Sequence, residues 1–562
     1  MQARVPAAVE TRAASGTPAW MWLAATVAAV AVFHVPFALF GRPFQDGWLH
    51  ELLYERGAHA AIYERLLVNG RPVAGWLNLH AMLATGSGRG AIWLSVLSVV
   101  AAGAAWFMVF VRSRSAAPPL AFALACIAAT SPANQIIVSS PTVIFVSAHA
   151  FFALGLWLFL EAHLDGPQVL RVAAYVGACV LGVLSALLGE STAPLLLVYP
   201  FVTLLPGLAE GAYGLRTALQ LALRRSVPAV LGIAAFTAMF LAFPPVGADF
   251  ATERRMTANP LLLALSAGTF AVTVALVYLP LWGVLVLAGR WREVRWRQWA
   301  RGRPACLLGL AVASAVLTLG PYIVALRLAS PTGWGLRYLY YFGPAMAWLV
   351  ASAAAAGGGG SMPARWPARW AAWACIAVGA GLLVRWPLLA VRTVHEDVIA
   401  AAAAASPAVQ RADVVIVDDK SPVMAGPLRD WEWSGLLQRA LGRPGRVAGI
   451  AAPPAPESPL ERFRLALRVT MGWAAPGVPA LSGSYVREHV RSLDVPEFVS
   501  LPGQACRVAE MEVEDWGPAW AAEAGSWYVR SAWDSAGYRD WLARAAASRV
   551  RVAELPDVTP CR

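Results

Sequence analysis

Apolar runs of about 20 residues, the length an α-helix needs to cross a bilayer, recur along most of this chain. Water is absent from the hydrocarbon interior, so a run of that length has to satisfy its backbone internally, as a helix. The runs fall at 19–40, 91–111, 119–137, 142–160, 169–188, 192–207, 226–244, 259–288, 305–326, 338–356 and 369–391. That is about eleven crossings. The third and sixth are the weakest, shortened or interrupted by Pro and polar residues. Composition agrees: 58% of the 562 residues are hydrophobic and 14% charged. That is too little charge to cover a water-soluble protein of this size. The first run is read as an uncleaved helix, because its leader is long and no small-x-small site follows "VFHVPFALFGRP".

The formal net charge of +12 falls largely in short connectors. Nucleic acid is therefore not an expected partner; membrane topology and anionic lipid head groups account for the charge better. Arg112 and Arg114, "LRTALQLALRRS" (215–226), "RWREVRWRQWARGR" (290–303) and "PARWPARW" (363–370) all share one side if the helices alternate. The positive-inside rule makes that side cytoplasmic. Residues 1–18 then form a cytoplasmic tail and 19–391 a transmembrane domain. An odd number of crossings leaves 392–562 outside the membrane.

The opposite side carries the long loop 41–90, "SPANQIIVSSP" (131–141), "GEST" (189–192), "PPVGADFATERRMTANP" (244–260) and "LASPTGWG" (328–335). Within the long loop, apolar positions alternate with charged ones across 48–68, a pattern of amphipathic helices lying on the membrane surface. The region 392–562 has a different pattern. "ADVVIVDDKSP" (412–422), "GRVAGIA" (445–451) and "ACRVAEMEV" (505–513) read as strands, and "AGYRDWLARAAAS" (536–548) as a helix. The expected fold is thus an all-α polytopic membrane domain followed by a small α/β domain. Cys506 and Cys561 share the outer compartment, which permits a disulfide if their separation allows it. No cysteine set has metal-ligand spacing. Trp residues in "WEW" (431–433) and "AEAGSWYVRSAW" (522–533) could stack on sugar rings or fill a small core.

Polar residues suited to chemistry gather in the outer loops. Asp46 is the first carboxylate after the first helix, in "FGRPFQDGWLHE" (40–51). A "NGRP" turn presents Arg71, "GEST" puts Glu190 at a hairpin tip, and "ATERRMTAN" brings Arg254 and Arg255. "GWGLRYLYYFGPAMAW" (333–348) sets Arg337 beside Tyr338, Tyr340 and Tyr341. Glu51, Glu55 and Glu64 fit the solvated face of a loop helix. His34 and His149 lie inside apolar runs, where a neighbouring helix is expected to satisfy them.

This arrangement of a carboxylate just after the first helix, a long first outer loop with a Gly-Arg-Pro turn, and "RYLYYFGP" opening a late helix resembles the GT-C class. These are polytopic glycosyltransferases that use polyprenyl-phosphate sugars, as protein O-mannosyltransferases and lipid A aminoarabinose transferases do. The resemblance covers roughly residues 15–390. It implies a bacterial inner-membrane enzyme that moves a sugar from a polyprenyl-phosphate donor to an extracytoplasmic glycan, lipid or protein. It also implies Asp46 as catalytic base. Many members carry two adjacent acidic residues there, whereas this chain has Gln45-Asp46-Gly47. No motif requires a cofactor, and a divalent cation stays an open alternative. The chemistry fits these residue types: a base must take the acceptor's proton, and cations must stabilise the departing phosphate. Arg71, Arg254, Arg255 and Arg337 are candidates for that phosphate because a guanidinium donates in a planar fork and stays charged. Glu190, Tyr338 and Tyr341 are candidates for substrate contact. A lipid-linked glycan polymerase or ligase would instead place its large outer loop late in the helical region. A flippase or transporter would show charges at mid-membrane and repeated halves.

Overall fold

The computed structural model describes residues 17–40, 46–86, 88–131, 134, 142–244, 259–279, 281, 302–325, 334–357, 373, 379, 386–419, 430–443, 446–451, 506–514 and 518–558. Helices build the first part: α1 (Ala19–Phe40), α2 (Asp46–Glu55), α3 (His59–Val68), α4 (Pro72–Thr85), α5 (Gly88–Arg112), α6 (Pro118–Ala129), α7 (Thr142–His163) and α8 (Gln168–Leu188). There follow α9 (Thr192–Leu195), α10 (Val198–Ala209), α11 (Leu215–Arg224), α12 (Val227–Ala242), α13 (Pro260–Val277) and α14 (Gly302–Val324). A 3-10 segment (Trp334–Phe342) then leads into α15 (Gly343–Gly357).

Seven stretches among the described residues are long and apolar enough to span a bilayer, and a bent pair, α11 and α12, supplies an eighth if it crosses as one. The chain is an integral membrane protein. The expected run at 119–137 forms a helix of only 12 residues, α6, and the run at 192–207 breaks into α9 and α10. The run at 369–391 lies mostly outside the described residues. The connector 215–226 holds an amphipathic helix, α11, which meets α12 at 56°.

Helix packing follows side-chain size. On α8, Val169, Val172, Val176 and Val180 are exposed along one face, where lipid tails would cover them. The opposite side carries small residues that let neighbours approach closely: Ala178 and Ser185 against α7, and Gly182 and Ala186 against Pro228 and Gly232 of α12. Polar groups inside this layer find partners on other helices. His34 donates from Nδ1 to the Val30 carbonyl at 2.7 Å, and its Nε2 accepts from Asn134 at 2.6 Å. Trp106 donates to His149 Nε2 at 2.9 Å. Both histidines are therefore satisfied within the protein, as expected of residues in apolar runs.

Helices α2 and α3 realise the amphipathic pattern of 48–68, but their apolar sides face protein. Leu53 and Ile62 join the main core, and Leu52 is also buried. The first outer loop is thus folded onto the bundle.

The C-terminal part contains α16 (Trp386–Ala405), α17 (Pro407–Arg411), β1 (Val414–Asp419), α18 (Asp430–Leu441), β2 (Ala448–Ala451), β3 (Cys506–Val513), α19 (Pro518–Arg530), α20 (Ser535–Arg549) and β4 (Val550–Val558). The sheet order is β2-β1-β3-β4, with β1 parallel to both neighbours and β4 antiparallel to β3. Four consecutive buried residues, Val414 to Val417, mark β1 as the central strand, covered on both faces. Trp433 is fully buried, and Trp520 and Trp527 pack against Trp541, so these rings belong to the core, whereas Trp533 is 71% exposed.

The His34–Asn134 contact carries a stability prediction. Asn134→Ala leaves a buried imidazole nitrogen without a donor and should cost about 1 kcal/mol. Replacing both residues by Leu should recover most of it, measured as thermal unfolding midpoints of the purified protein in detergent. Equal loss in single and double variants would show that the pair is not the source.

Candidate active site

Arg71 owes its position to a helix-ending turn. Helix α3 stops in a Schellman motif: Gly70 N–H donates to the Leu67 carbonyl at 2.8 Å and Arg71 N–H to the Leu66 carbonyl at 2.9 Å. Gly70 takes φ +72°, a conformation that glycine adopts without strain. Pro72 then opens α4 with the φ that a first helical turn needs. Arg71 caps α4 and is held at the junction of two helices.

Glu190 sits at the other end of the contact, in the tight turn after α8. Thr192 pins that turn by donating to the Ser185 carbonyl at 2.6 Å and lying 2.8 Å from the Gly189 carbonyl. Ser185 in turn donates to the Ala148 carbonyl of α7 at 2.8 Å. Across 119 residues of sequence, Arg71 Nε and Nη2 approach the same carboxylate oxygen, Oε1 of Glu190, at 3.0 and 2.5 Å. Nη1 makes no hydrogen bond among the described residues. The pair is about a third exposed, with side-chain values of 31% and 33%. Burial alone would lower the pKa of Arg71; the adjacent Glu190 carboxylate outweighs it, so the guanidinium is held above its ordinary value and stays charged.

Tyrosines surround this ion pair. Tyr322, near the end of α14, and Tyr341 both lie within electrostatic reach of Arg71 and Glu190. Tyr322 also packs on Tyr338, with ring centroids 4.9 Å apart, and lies beside Ser191. The Tyr341 hydroxyl fills the space at Gly189: a Cβ there would lie 2.8 Å from it and 3.0 Å from Thr192 Oγ1. Both Tyr340 and Tyr341 hydroxyls are buried with no hydrogen-bond partner among the described residues. Both rings also meet His149, at 6.3 and 6.1 Å between centroids.

Of the candidates named from sequence, Arg71, Glu190, Tyr341 and Tyr338 come together here. Asp46 is the first residue of α2, and Arg337 lies in the 3-10 segment that carries the tyrosines; the side chains of both fall outside the described ones. Arg254, Arg255 and Cys561 lie outside the described residues, and Cys506 begins β3. Among the described residues no group of three or more His, Cys, Asp or Glu could hold a metal ion. Tyr322 was missed from the sequence. Its position at the end of the ninth apolar run, where interfacial aromatics gather, was the available signal.

The opposite end of the bundle is chemically different. There Arg112 pairs with Glu161 at 2.7 Å, Arg171 donates to the Ala162 carbonyl, and Arg303 donates to the Arg114 carbonyl. Basic connectors far apart in sequence do share one end, as helix alternation requires.

The unpartnered hydroxyl of Tyr341 separates a structural role from a functional one. Tyr341→Phe should leave the unfolding midpoint unchanged or slightly higher, since removing an unsatisfied buried hydroxyl costs nothing. Gly189→Ala should destabilise by about 1–3 kcal/mol through overpacking. Adding Tyr341→Phe to it should relieve much of that loss. If Tyr341→Phe alone is clearly destabilising, the hydroxyl has a structural partner after all.

No protein-family model matches the chain, and no curated protein matches it. Among solved structures it is similar to ArnT from Cupriavidus metallidurans in the apo state, with a TM-score of 0.42 and 15% identity. It is likewise similar to ArnT from the same organism bound to undecaprenyl phosphate, with a TM-score of 0.42 and 14% identity. Each alignment covers 88% of this chain and 94% of the other.

Proposed function

We propose that this protein is a membrane glycosyltransferase that moves a sugar from a polyprenyl-phosphate donor to an acceptor on the extracytoplasmic face of a bacterial inner membrane. The observation that carries this reading is the Arg71 site. A charged guanidinium, fixed by Glu190, keeps one nitrogen out of that pairing, and a buried tyrosine hydroxyl with no partner among the described residues stands nearby. Those are donors without acceptors at a bundle end, which suits a phosphate oxygen. A polyprenyl tail would lie against apolar helix faces, such as the valine face of α8.

In this reading the Asp46 carboxylate takes the proton of the acceptor's nucleophilic group, which attacks the anomeric carbon. The bond from that carbon to the phosphate oxygen breaks, and its electron pair leaves on the phosphate. Arg71 stabilises the charge that develops there, and Glu190 keeps the guanidinium oriented without neutralising its full fork. One attack of this kind inverts the anomeric centre. The N-terminus is cytoplasmic in this arrangement, and the C-terminal α/β region stands on the side of the reaction.

The test uses membranes supplied with a panel of radiolabelled polyprenyl-phosphate sugars. Wild type should transfer label from at least one donor. Asp46→Asn should reduce turnover by about 10²-fold or more, the ordinary worth of a general base. Arg71→Ala should reduce it by a similar factor, as expected for a group that stabilises the leaving charge. No transfer from any donor would reject the reading. Full activity of Asp46→Asn at normal abundance would reject the base.

A further inference from the structure

Helix α2, which begins with Asp46, is gripped from two directions. On one side His50 Nδ1 accepts from Asn78 of α4 at 2.6 Å, and both side chains are buried. On the other side α18 of the C-terminal region reaches across more than 380 residues of sequence. Arg439 Nη2 lies 2.8 Å from Glu51 Oε2 and 2.6 Å from Glu55 Oε1. Next to it, Arg56 donates to Gln438 Oε1 at 3.3 Å.

The geometry of the grip is specific. Glu51 and Glu55 are four residues apart, so they stand on one face of α2 and a single guanidinium can bridge them. His50 is one turn beyond Asp46 in the same helix, so its contact with Asn78 fixes α2 close to that residue. Gln438 is buried and donates to the Val447 carbonyl at 2.9 Å, which fixes it to the segment entering β2. The Ser434 hydroxyl accepts from Gly449 N–H at 2.9 Å, tying α18 to β2. Arg392 of α16 binds Glu396 at 2.8 Å and Glu432 of α18 at 2.9 Å, all nearly buried. Helix α18 is therefore a rigid platform, and α2 leans on it through charge.

The Glu55 arm of this contact adds little stability, because Arg439 and Glu55 are about half exposed, whereas the Glu51 carboxylate is only 13% exposed and its arm adds more. The consequence of the contact is positional. We propose that Arg439 is a positioning residue, through which the C-terminal region sets where α2, and with it Asp46, stands during transfer. This rests on Asp46 being the base.

The experiment combines kinetics with hydrogen exchange on the full-length protein in detergent. Arg439→Glu should lower kcat by on the order of 10-fold, since small misplacements of a reacting group are costly. The KM for the donor should stay within about 2-fold, because Arg71 and its tyrosines are untouched. Amide protection across 46–55 should fall. Placing Glu51→Arg and Glu55→Arg together in the Arg439→Glu background should restore both protection and most of kcat. Arg439→Lys, which keeps the charge, should lie between and serves if the reversal fails to fold. Unchanged kcat and protection in Arg439→Glu would overturn the proposal, as would reversed charges that fold well but restore neither. A fall in thermal midpoint with kcat intact would make the contact structural only and also overturn it. If wild type transfers no sugar, the functional reading fails separately. Protection of 46–55 still decides the clamp: lost and recovered supports it, unchanged rejects it.

Discussion

A polar group inside hydrocarbon has no water to turn to, and this single constraint shapes most of the bundle. Each buried imidazole or amide must find a protein partner, and each partner found ties two distant helices together. His34 with Asn134 and His149 with Trp106 are such ties. Ser185 does the same more quietly, donating to the Ala148 carbonyl so that α8 cannot slide along α7. That fixes the end of α8, which leads into the turn carrying Glu190. A one-residue shift would move the carboxylate by about 1.5 Å and swing it around the helix by roughly 100°.

The same constraint gives the site its character. The Tyr341 hydroxyl is one of several buried polar groups with no hydrogen-bond partner among the described residues, and it is the one that lies beside both Gly189 and the Arg71–Glu190 pair. Tyr341 sits against Gly189, where any side chain would displace it, so the turn that presents Glu190 is shaped around that hydroxyl. Arg71 repeats the pattern at the edge of water: its Schellman turn and its carboxylate partner define its direction, yet the partner engages only part of the fork. Donor capacity is built and then left over.

Much of this was readable from sequence wherever a local rule operates. Helices α1, α7 and α8 match their apolar runs closely because run length and the bilayer impose a single solution. The "NGRP" turn around Arg71 was visible for the same reason, since Gly and Pro have few uses at such positions. The run at 119–137 failed to make a full span because Thr130 and Ser131 follow Ala129 and the helix ends there. Strands β1, β2 and β3 fall within the stretches read as strands, β1 most plainly through Val414 to Val417, while α18 has no such signal; its Trp433, open between core and sugar stacking, is buried together with Glu432. The pairing of Arg71 with Glu190 obeys no local rule. Nothing in periodicity or spacing connects residues 119 positions apart, although each lies in an outer loop. Tyr322 escaped because it sits at the end of an apolar run and belongs to no polar loop.

Interactions of different strength divide the labour here. The buried network of Arg392, Glu396 and Glu432 is costly to break, since losing one member strands a charge in a dry interior. It makes the C-terminal platform rigid. The bridge from Arg439 is partly solvated at its Glu55 arm and mostly buried at Glu51. In the proposed reading a contact of that kind sets where α2 stands. The hydrogen bond from Asn78 to His50 then acts as the inner pivot, buried and close to Asp46, with the charged bridge holding the outer end. In the proposed reading, rigid platform, partly exposed bridge and buried pivot together form the mount on which Asp46 is carried.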